Sequence, residues 1–108
     1  MGRGFAVSGG VAEAVKDYIS RVAPEKEVKM QCADGLRECR KMLLMAKAGK
    51  YDGYLLEGMA CPGGCVAGAG TITPVERSKK NVLQYSAEAP RHSADESDYA
   101  DMLHEAEQ

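Results

Sequence analysis

Residues 27–57 read EVKMQCADGLRECRKMLLMAKAGKYDGYLLE and pass from a strand pattern to a helix pattern and back. Over 27–33, apolar and polar residues alternate, which indicates a half-buried strand near the edge of a sheet. Over 35–48, apolar residues recur at helical spacing. The continuous apolar run at 54–56, within a second strand over 53–57, is typical of a strand covered on both faces. These residues predict a right-handed βαβ unit.

The helical pattern within this unit also predicts part of the core. Asp34 is placed to cap the helix through its carboxylate, and Gly49 is placed to end it. Cys32 closes the first strand and is expected in the core, with a role as an extra metal ligand as the alternative. The apolar positions of the helix share one broad face and are expected to be buried: Leu36, Cys39, Met42, Leu43, Met45 and Ala46.

The segments on either side of the unit extend the same alternation. An apolar run at 5–7 fits a short first strand, and apolar residues at helical spacing over 11–22 predict a helix that Pro24 ends. Near the other end, Pro74 followed by the pattern of 75–87 predicts a further helix with proline close to its first turn. The fold class expected is α/β, with a small parallel, or mostly parallel, sheet flanked by helices.

Composition excludes several classes of protein. The chain has 108 residues, of which 44% are hydrophobic and 28% charged, as in one small globular domain. A net charge of −2 argues against nucleic acid as a partner, and no run approaches the ~20 apolar residues of a membrane span. Four cysteines are too few for a disulfide-built secreted scaffold. We therefore expect a cytoplasmic protein with neither nucleic acid nor a membrane as its partner.

Charge divides the chain into two unequal parts. Residues 1–85 carry 13 basic and 9 acidic side chains, whereas residues 86–108 carry one basic and seven acidic side chains. The acidic end has only a weak helical stripe, formed by Tyr99, Met102, Leu103 and Ala106. We predict a body over residues 1–88 and an acidic tail over 89–108 that is a weak helix or disordered.

The residues with the clearest chemical potential follow the second strand directly. Residues 57–70 read EGMACPGGCVAGAG and lie at the carboxyl end of that strand, where open α/β sheets place their ligand sites. Pro-Gly-Gly between Cys61 and Cys65 excludes a regular helix. The glycines permit positive φ and let backbone N–H groups approach a cysteine sulfur.

The spacing of the two cysteines leaves more than one interpretation open. A disulfide across this loop would be strained, and a cytosolic chain disfavours it. The spacing is not Cys-x-x-Cys, and the second cysteine pair of a structural zinc site is absent. Spacing alone therefore supports metal ligation and a merely tight, glycine-rich turn about equally.

The complete string resembles the third sequence signature of the iron-only (FeFe) hydrogenase family. That signature reads Glu-x-Met-Ala-Cys-Pro-Gly-Gly-Cys, followed by two residues and a run of glycines. The resemblance extends over about residues 4–93, through Ser8-Gly9-Gly10-Val11 upstream and more loosely through 77–85 downstream. The matching positions are Glu57, Met59, Ala60, Cys61, Pro62, Gly63, Gly64, Cys65, Gly68 and Gly70.

The resemblance implies a specific cofactor and reaction. In this family the H-cluster joins a 4Fe–4S cubane to a two-iron centre that carries CO, cyanide and a dithiolate, and it interconverts protons and H₂ with electrons from a ferredoxin-like carrier. Carried over, Cys61 would ligate the cubane, and Cys65 would ligate it and bridge to the two-iron centre. Glu57 becomes a candidate proton relay, with binding to backbone as the alternative. The cofactor pocket would include Met59, Ala60, Pro62, Gly63 and Gly64.

Two departures from the family pattern qualify this expectation. After the cysteines the family usually shows Gly-Gly-Gly-Gln-Pro, whereas residues 68–74 here read GAGTITP, which suggests a divergent, for instance sensory, branch. The first and second signatures, which carry the other two cysteine ligands, are absent. The resemblance thus implies a carboxyl-terminal part of a hydrogenase whose partner is the remainder of that chain, and we expect it alone to bind no cofactor and to be inactive.

Two other functions stay open on the sequence. The chain could be a non-catalytic iron–sulfur or metal-binding module whose two cysteines share a cluster across a dimer. It could also be an interaction domain in which the cysteine loop is vestigial.

Overall fold

The computed structural model describes residues 1–106. Residues 107–108 of the predicted tail lie outside the described residues, as do the side chains of Leu103 and Ala106 from its apolar stripe. The described helices and strands follow in this order: α1 Gly10–Val22, β1 Lys29–Asp34, α2 Leu36–Lys47, β2 Tyr54–Met59, α3 Val75–Ala87 and α4 Ala100–Ala106. Single turns of 3₁₀ helix lie at Gly2–Gly4, Cys65–Ala67 and Ala94–Glu96.

β1 and β2 pair in parallel and form a small sheet. The register runs from Lys29 opposite Tyr54 to Asp34 opposite Met59, and α2 connects the two strands. This arrangement confirms the predicted α/β class and the βαβ unit. In the described part of the chain the sheet has two strands. Residues 5–7 do not extend it, because they lie in the turn between the first 3₁₀ helix and α1.

The helix ends follow local sequence signals, with one exception. α1 ends at Val22, two residues before Pro24, and α3 covers the predicted residues 75–87. The predicted cap of α2 is wrong: Gly35, with φ of 84°, is the N-cap residue and no side chain caps the helix. Asp34 makes other hydrogen bonds, described below. Within residues 1–106, no helix combines the length and apolar character needed to cross a bilayer.

The buried core is small. Its apolar members, each less than a tenth exposed, come from α1, α2, β1 and the two loops that meet beside them: Val7, Ala12, Ala33, Met42 and Val66. Val7 and Val66 lie in segments that are joined by the hydrogen bond from the Val66 N–H to the Ala6 carbonyl, 3.1 Å long. The core thus includes Val66, the residue that directly follows Cys65.

Several side chains that were expected in the core are exposed. Met42 of α2 is buried as predicted and Cys39 is half-buried, but Leu43 is 63% exposed and Met45 is 38% exposed. Cys32 is also exposed, and Tyr54 begins a strand that is not covered on both faces. The apolar pattern identified the helix and the strand correctly. In the described residues, too few other elements pack against the outer faces of α2 and β2 to bury these side chains.

Candidate metal centre

The two cysteines of the loop bracket one tight turn. β2 ends at Met59, Cys61 is half-buried, and Cys65 is exposed at the start of the 3₁₀ turn. The Gly64 N–H donates to the Cys61 carbonyl at 2.9 Å, and the Gly68 N–H donates to the Cys65 carbonyl at 3.0 Å. The sequence prediction that the pair lies at the carboxyl end of a parallel strand agrees with this geometry.

Glycine is required between the cysteines for two reasons. Gly63 and Gly64 have φ of 90° and 97°, in the left-handed region that other residues rarely adopt. A Cβ on Gly64 would also lie 2.5 Å from the Ser8 nitrogen and 2.6 Å from the Ala6 oxygen. The turn therefore packs its backbone directly against the backbone of residues 6–8.

The backbone N–H groups of the two glycines are directed to oxygen acceptors. Besides the bond from Gly64 to the Cys61 carbonyl, the Gly63 N–H donates to Oδ2 of Asp34 at 3.1 Å. The sequence suggested that such groups could approach the cysteine sulfurs. The structure instead uses them to hold the shape of the turn.

Residues far away in sequence anchor the same turn. The Ser8 N–H donates to the Gly63 carbonyl at 3.1 Å, and the Ser8 hydroxyl donates to Oδ1 of Asp34. On the other side, the Gly35 N–H donates to the Met59 carbonyl at 2.8 Å. Sequence analysis did not assign Ser8 or Asp34 to the site. Their placement depends on contacts across more than 25 residues, which no local pattern reveals.

Glu57 lies in β2 beneath the loop and is only 9% exposed. Its Oε2 accepts the Gly9 N–H at 2.7 Å, and its Oε1 accepts the Ala12 N–H at 3.0 Å. The carboxylate therefore serves the start of α1, where backbone donors have no partner within the helix. This is the backbone-binding alternative considered for Glu57. Its role as a proton relay stays a prediction.

The remaining cysteines lie apart from the pair in different surroundings. Cys32 is opposite Glu57 in the sheet register. Although Cys32 is exposed, the protein atoms around its thiol desolvate it and so raise its pKa, and the neighbouring Glu57 carboxylate raises the pKa further because it disfavours a second negative charge. The Cys39 sulfur lies 3.5 Å from the Met59 carbonyl oxygen and 3.6 Å from that of Ala33, which suits a thiol that packs within the fold.

The donor set fits part of an iron–sulfur site. Cys61 and Cys65 offer two thiolates on one turn, and a 4Fe–4S cluster takes four. Among residues 1–106, no group of three or more histidine, cysteine or carboxylate side chains is placed to hold a metal ion. Met59 is half-buried, while Ala60 and Pro62 are exposed on the same loop. Their contribution to a cofactor pocket stays a prediction.

This chain is similar to one known protein family and to two curated vertebrate proteins. Residues 1–69, which include β1, α2 and both cysteines of the loop, match the family described as "Iron only hydrogenase large subunit, C-terminal domain". A zebrafish (Danio rerio) protein, "Cytosolic Fe-S cluster assembly factor narfl", is 32% identical over 97 residues, which is 81% of this chain and 23% of the relative. The "Nuclear prelamin A recognition factor" of Xenopus laevis is 30% identical over 77 residues, which is 68% of this chain and 17% of the relative.

These similarities cover the site and define its family. The chain spans about a quarter or less of the length of the curated relatives that it matches. Their sequences fit the divergent branch that the altered residues after Cys65 suggested. The matched segment, its cysteine turn and the βαβ unit beneath it show that the chain belongs to the iron-only hydrogenase large subunit family, as its C-terminal domain.

Proposed function

We propose that this chain supplies two thiolates, those of Cys61 and Cys65, to an iron–sulfur cluster whose other ligands come from elsewhere in the parent protein. The observation that carries the proposal is the turn itself. Two cysteines stand at the two ends of a hydrogen-bonded, glycine-dependent turn that follows β2, and Cys65 is exposed. Iron–sulfur clusters are held by cysteine thiolates, usually four. Two of the usual four thiolates, placed at or near the surface, suit a cluster that lies between this domain and another part of the parent protein.

The chain's own residues would orient the sulfurs and shield one side of the cluster. The bonded turn fixes the directions of both Cβ atoms, and the half-buried Met59 lies next to it in sequence. Gly68 lies close to the first cysteine, since a Cβ there would be 3.6 Å from the Cys61 sulfur. A bound cluster would supply electron-transfer or redox chemistry, which the protein tunes by ligation, burial and hydrogen bonding.

A non-catalytic role is the form of this proposal that we favour. One relative is named a cytosolic iron–sulfur cluster assembly factor, which supports an iron–sulfur role in cluster assembly and a cytosolic location. The residues after the cysteines, GAGTITP, also depart from the family's usual run. The partner of this domain would then be the remainder of the parent protein, which would contribute the missing ligands.

Hydrogen chemistry is the second candidate, and the family match favours it. In that case the parent protein would hold the H-cluster and exchange electrons with a ferredoxin-like carrier. Glu57 would be a candidate proton relay. Infrared bands of iron-bound CO and cyanide in the full-length parent, together with H₂ evolution, distinguish this function. Their absence from a parent protein that contains iron–sulfur clusters favours the non-catalytic role.

Reconstitution tests the ligand assignment. The chain would be incubated anaerobically with iron, sulfide and glutathione, whose thiolate can fill the two corners that the chain does not supply. We expect protein-bound iron and sulfide-to-iron absorption for the natural chain and for Cys32→Ser, and a loss of both for the double variant Cys61→Ser/Cys65→Ser. A double variant that binds as much iron as a loaded natural chain would overturn the proposal.

A further inference from the structure

We infer that Asp34 is a positioning residue for the cysteine pair, an inference that rests on the proposed ligand role of Cys61 and Cys65. Asp34 is the last residue of β1, and both of its carboxylate oxygens are engaged. Oδ2 accepts the Gly63 N–H at 3.1 Å, and Oδ1 accepts the Ser8 hydroxyl. Gly63 stands between the two cysteines, so the carboxylate is bonded to the peptide that sets their separation.

Three residues close a ring of hydrogen bonds around this carboxylate. Gly63 donates to Asp34 through its N–H, Ser8 donates to Asp34 through its hydroxyl, and the Ser8 N–H donates back to the Gly63 carbonyl at 3.1 Å. We call this the Ser8–Asp34–Gly63 ring. Bonds to a charged acceptor are stronger than bonds between neutral groups. The ring therefore ties the cysteine turn to the end of β1 and to the segment before α1.

The position of the ring suits the orientation of ligands. The ring holds both the N–H and the carbonyl group of Gly63. Cys61 lies two residues before Gly63, and Cys65 lies two residues after it. In the described part of the chain, no hydrogen bond joins the ring to either cysteine sulfur, so Asp34 would act through the backbone. Mutation of residues that hold metal ligands in place typically lowers metal affinity by about 10–100-fold.

Titration with cadmium ions alone tests the inference, because Cd²⁺ binds thiolates and gives an ultraviolet charge-transfer band. The difference between the natural chain and Cys61→Ser/Cys65→Ser defines binding at the pair. We expect Asp34→Ala to weaken that binding about tenfold. Asp34→Asn, which keeps an acceptor oxygen for the Gly63 N–H, should restore part of the loss. Asp52→Ala, which removes an exposed carboxylate in the turn before β2, should leave the affinity unchanged.

A destabilised variant separates positioning from loss of fold. Met42→Ala removes a buried side chain of α2 and is expected to lower stability while leaving cadmium affinity unchanged in the folded protein. If Asp34→Ala does not fold, Ser8→Ala and Asp34→Asn test the same ring, each with an expected loss of severalfold. Natural affinity in the folded ring variants overturns the positioning role. Equal cadmium binding by the natural chain and the double cysteine variant instead overturns the proposed ligands.

Discussion

At the scale of single residues, Gly64 illustrates why the cysteine turn depends on its exact sequence. The residue is buried, its φ of 97° is strained for any other residue, and backbone atoms of Ala6 and Ser8 occupy the space that a Cβ needs. Backbone atoms cannot rotate away as a flexible side chain can. A side chain at this position would have to separate the turn from residues 6–8.

Replacing Gly64 by alanine is expected to destabilise the fold by roughly 3 kcal/mol or more, because backbone strain and a backbone clash add together. Gly70→Ala is the matched control. Gly70 has a similar φ of 87° but nothing within 4 Å of an added Cβ, so only the conformational cost of about 1 kcal/mol applies. Urea denaturation of both variants measures the free energies of unfolding. Equal losses would show that the close approach to residues 6–8 is not significant.

At the scale of secondary structure elements, Glu57 connects β2 to the start of α1. The N-cap residue of α1 is Gly9, which has no side chain to accept the free N–H groups of the first turn. The carboxylate of Glu57 reaches two of them from 45 and 48 residues further along the chain. A negative charge at this end also interacts favourably with the helix dipole. The strand that leads into the cysteine loop thus holds the first helix in place.

We expect Glu57→Ala to lower the free energy of unfolding by about 2–4 kcal/mol, since it leaves the N–H groups of Gly9 and Ala12, at the start of α1, without their charged acceptor in a partly buried place. Glu13→Ala is the control: it removes an exposed acid from the first turn of the same helix and should cost less than about 1 kcal/mol. Chemical denaturation measures both. Losses of the same size in the two variants would contradict a specific capping role for Glu57.

The same scale shows what the sequence could and could not predict. Periodicity located α1, α2, α3 and both strands, because helix and strand repeats depend on neighbours a few residues apart. Local sequence signals placed Asp34 as the cap of α2, whereas the hydrogen-bond partners of Asp34, Ser8 and Gly63, are 26 and 29 residues away along the chain. Periodicity also placed Leu43 and Met45 in the core, because a periodic pattern identifies an apolar face and not what covers it.

At the scale of the whole molecule, the chain leaves more surface in water than a protein of its mass usually does. Its accessible surface is 7896 Å² for 11.6 kDa, against about 5800 Å² for a typical folded monomer. The radius of gyration is 15.7 Å, against about 13 Å for a domain of this length. Leu36, Leu43 and Ile72 are each more than half exposed. These values show that much of the apolar surface of the described chain is uncovered, and they support the proposal that the missing ligands come from another part of the parent protein.

Arg21 of α1 forms ion pairs with Asp95 and Glu96, two residues of the predicted acidic tail. Arg21 lies 3.5 Å from an oxygen of Asp95 and 3.0 Å from one of Glu96. The Ser93 hydroxyl and then Arg21 hold the pKa of Asp95 below its ordinary value, and the His92 N–H and Arg21 do the same for Glu96. The division into body and tail remains a prediction. These contacts show that residues 93–96 lie against the body.

Acidification is expected to release this part of the tail. Because the pKa values of Asp95 and Glu96 are lowered in the folded chain, their contribution to stability is present at neutral pH. It is lost as the pH falls below the ordinary carboxyl pKa values and through the lowered ones. Backbone amide NMR shifts of residues 94–97 would follow the change. Arg21→Gln should give the same amide shifts at neutral pH as acidification gives in the natural chain. Arg37→Gln, which changes an exposed residue of α2, should not. Unchanged shifts in Arg21→Gln would show that the ion pairs do not hold the tail.

The two-stranded sheet has a consequence for how this chain behaves in solution. Each strand has a strand neighbour on one side only in the described residues, so main-chain donors and acceptors along the other side are free of strand pairing. Such edges act as templates for any extended peptide, whatever its side chains. Concentrated samples of the isolated polypeptide should therefore tend towards self-templated β-aggregation, and an added strand-forming ligand should suppress it.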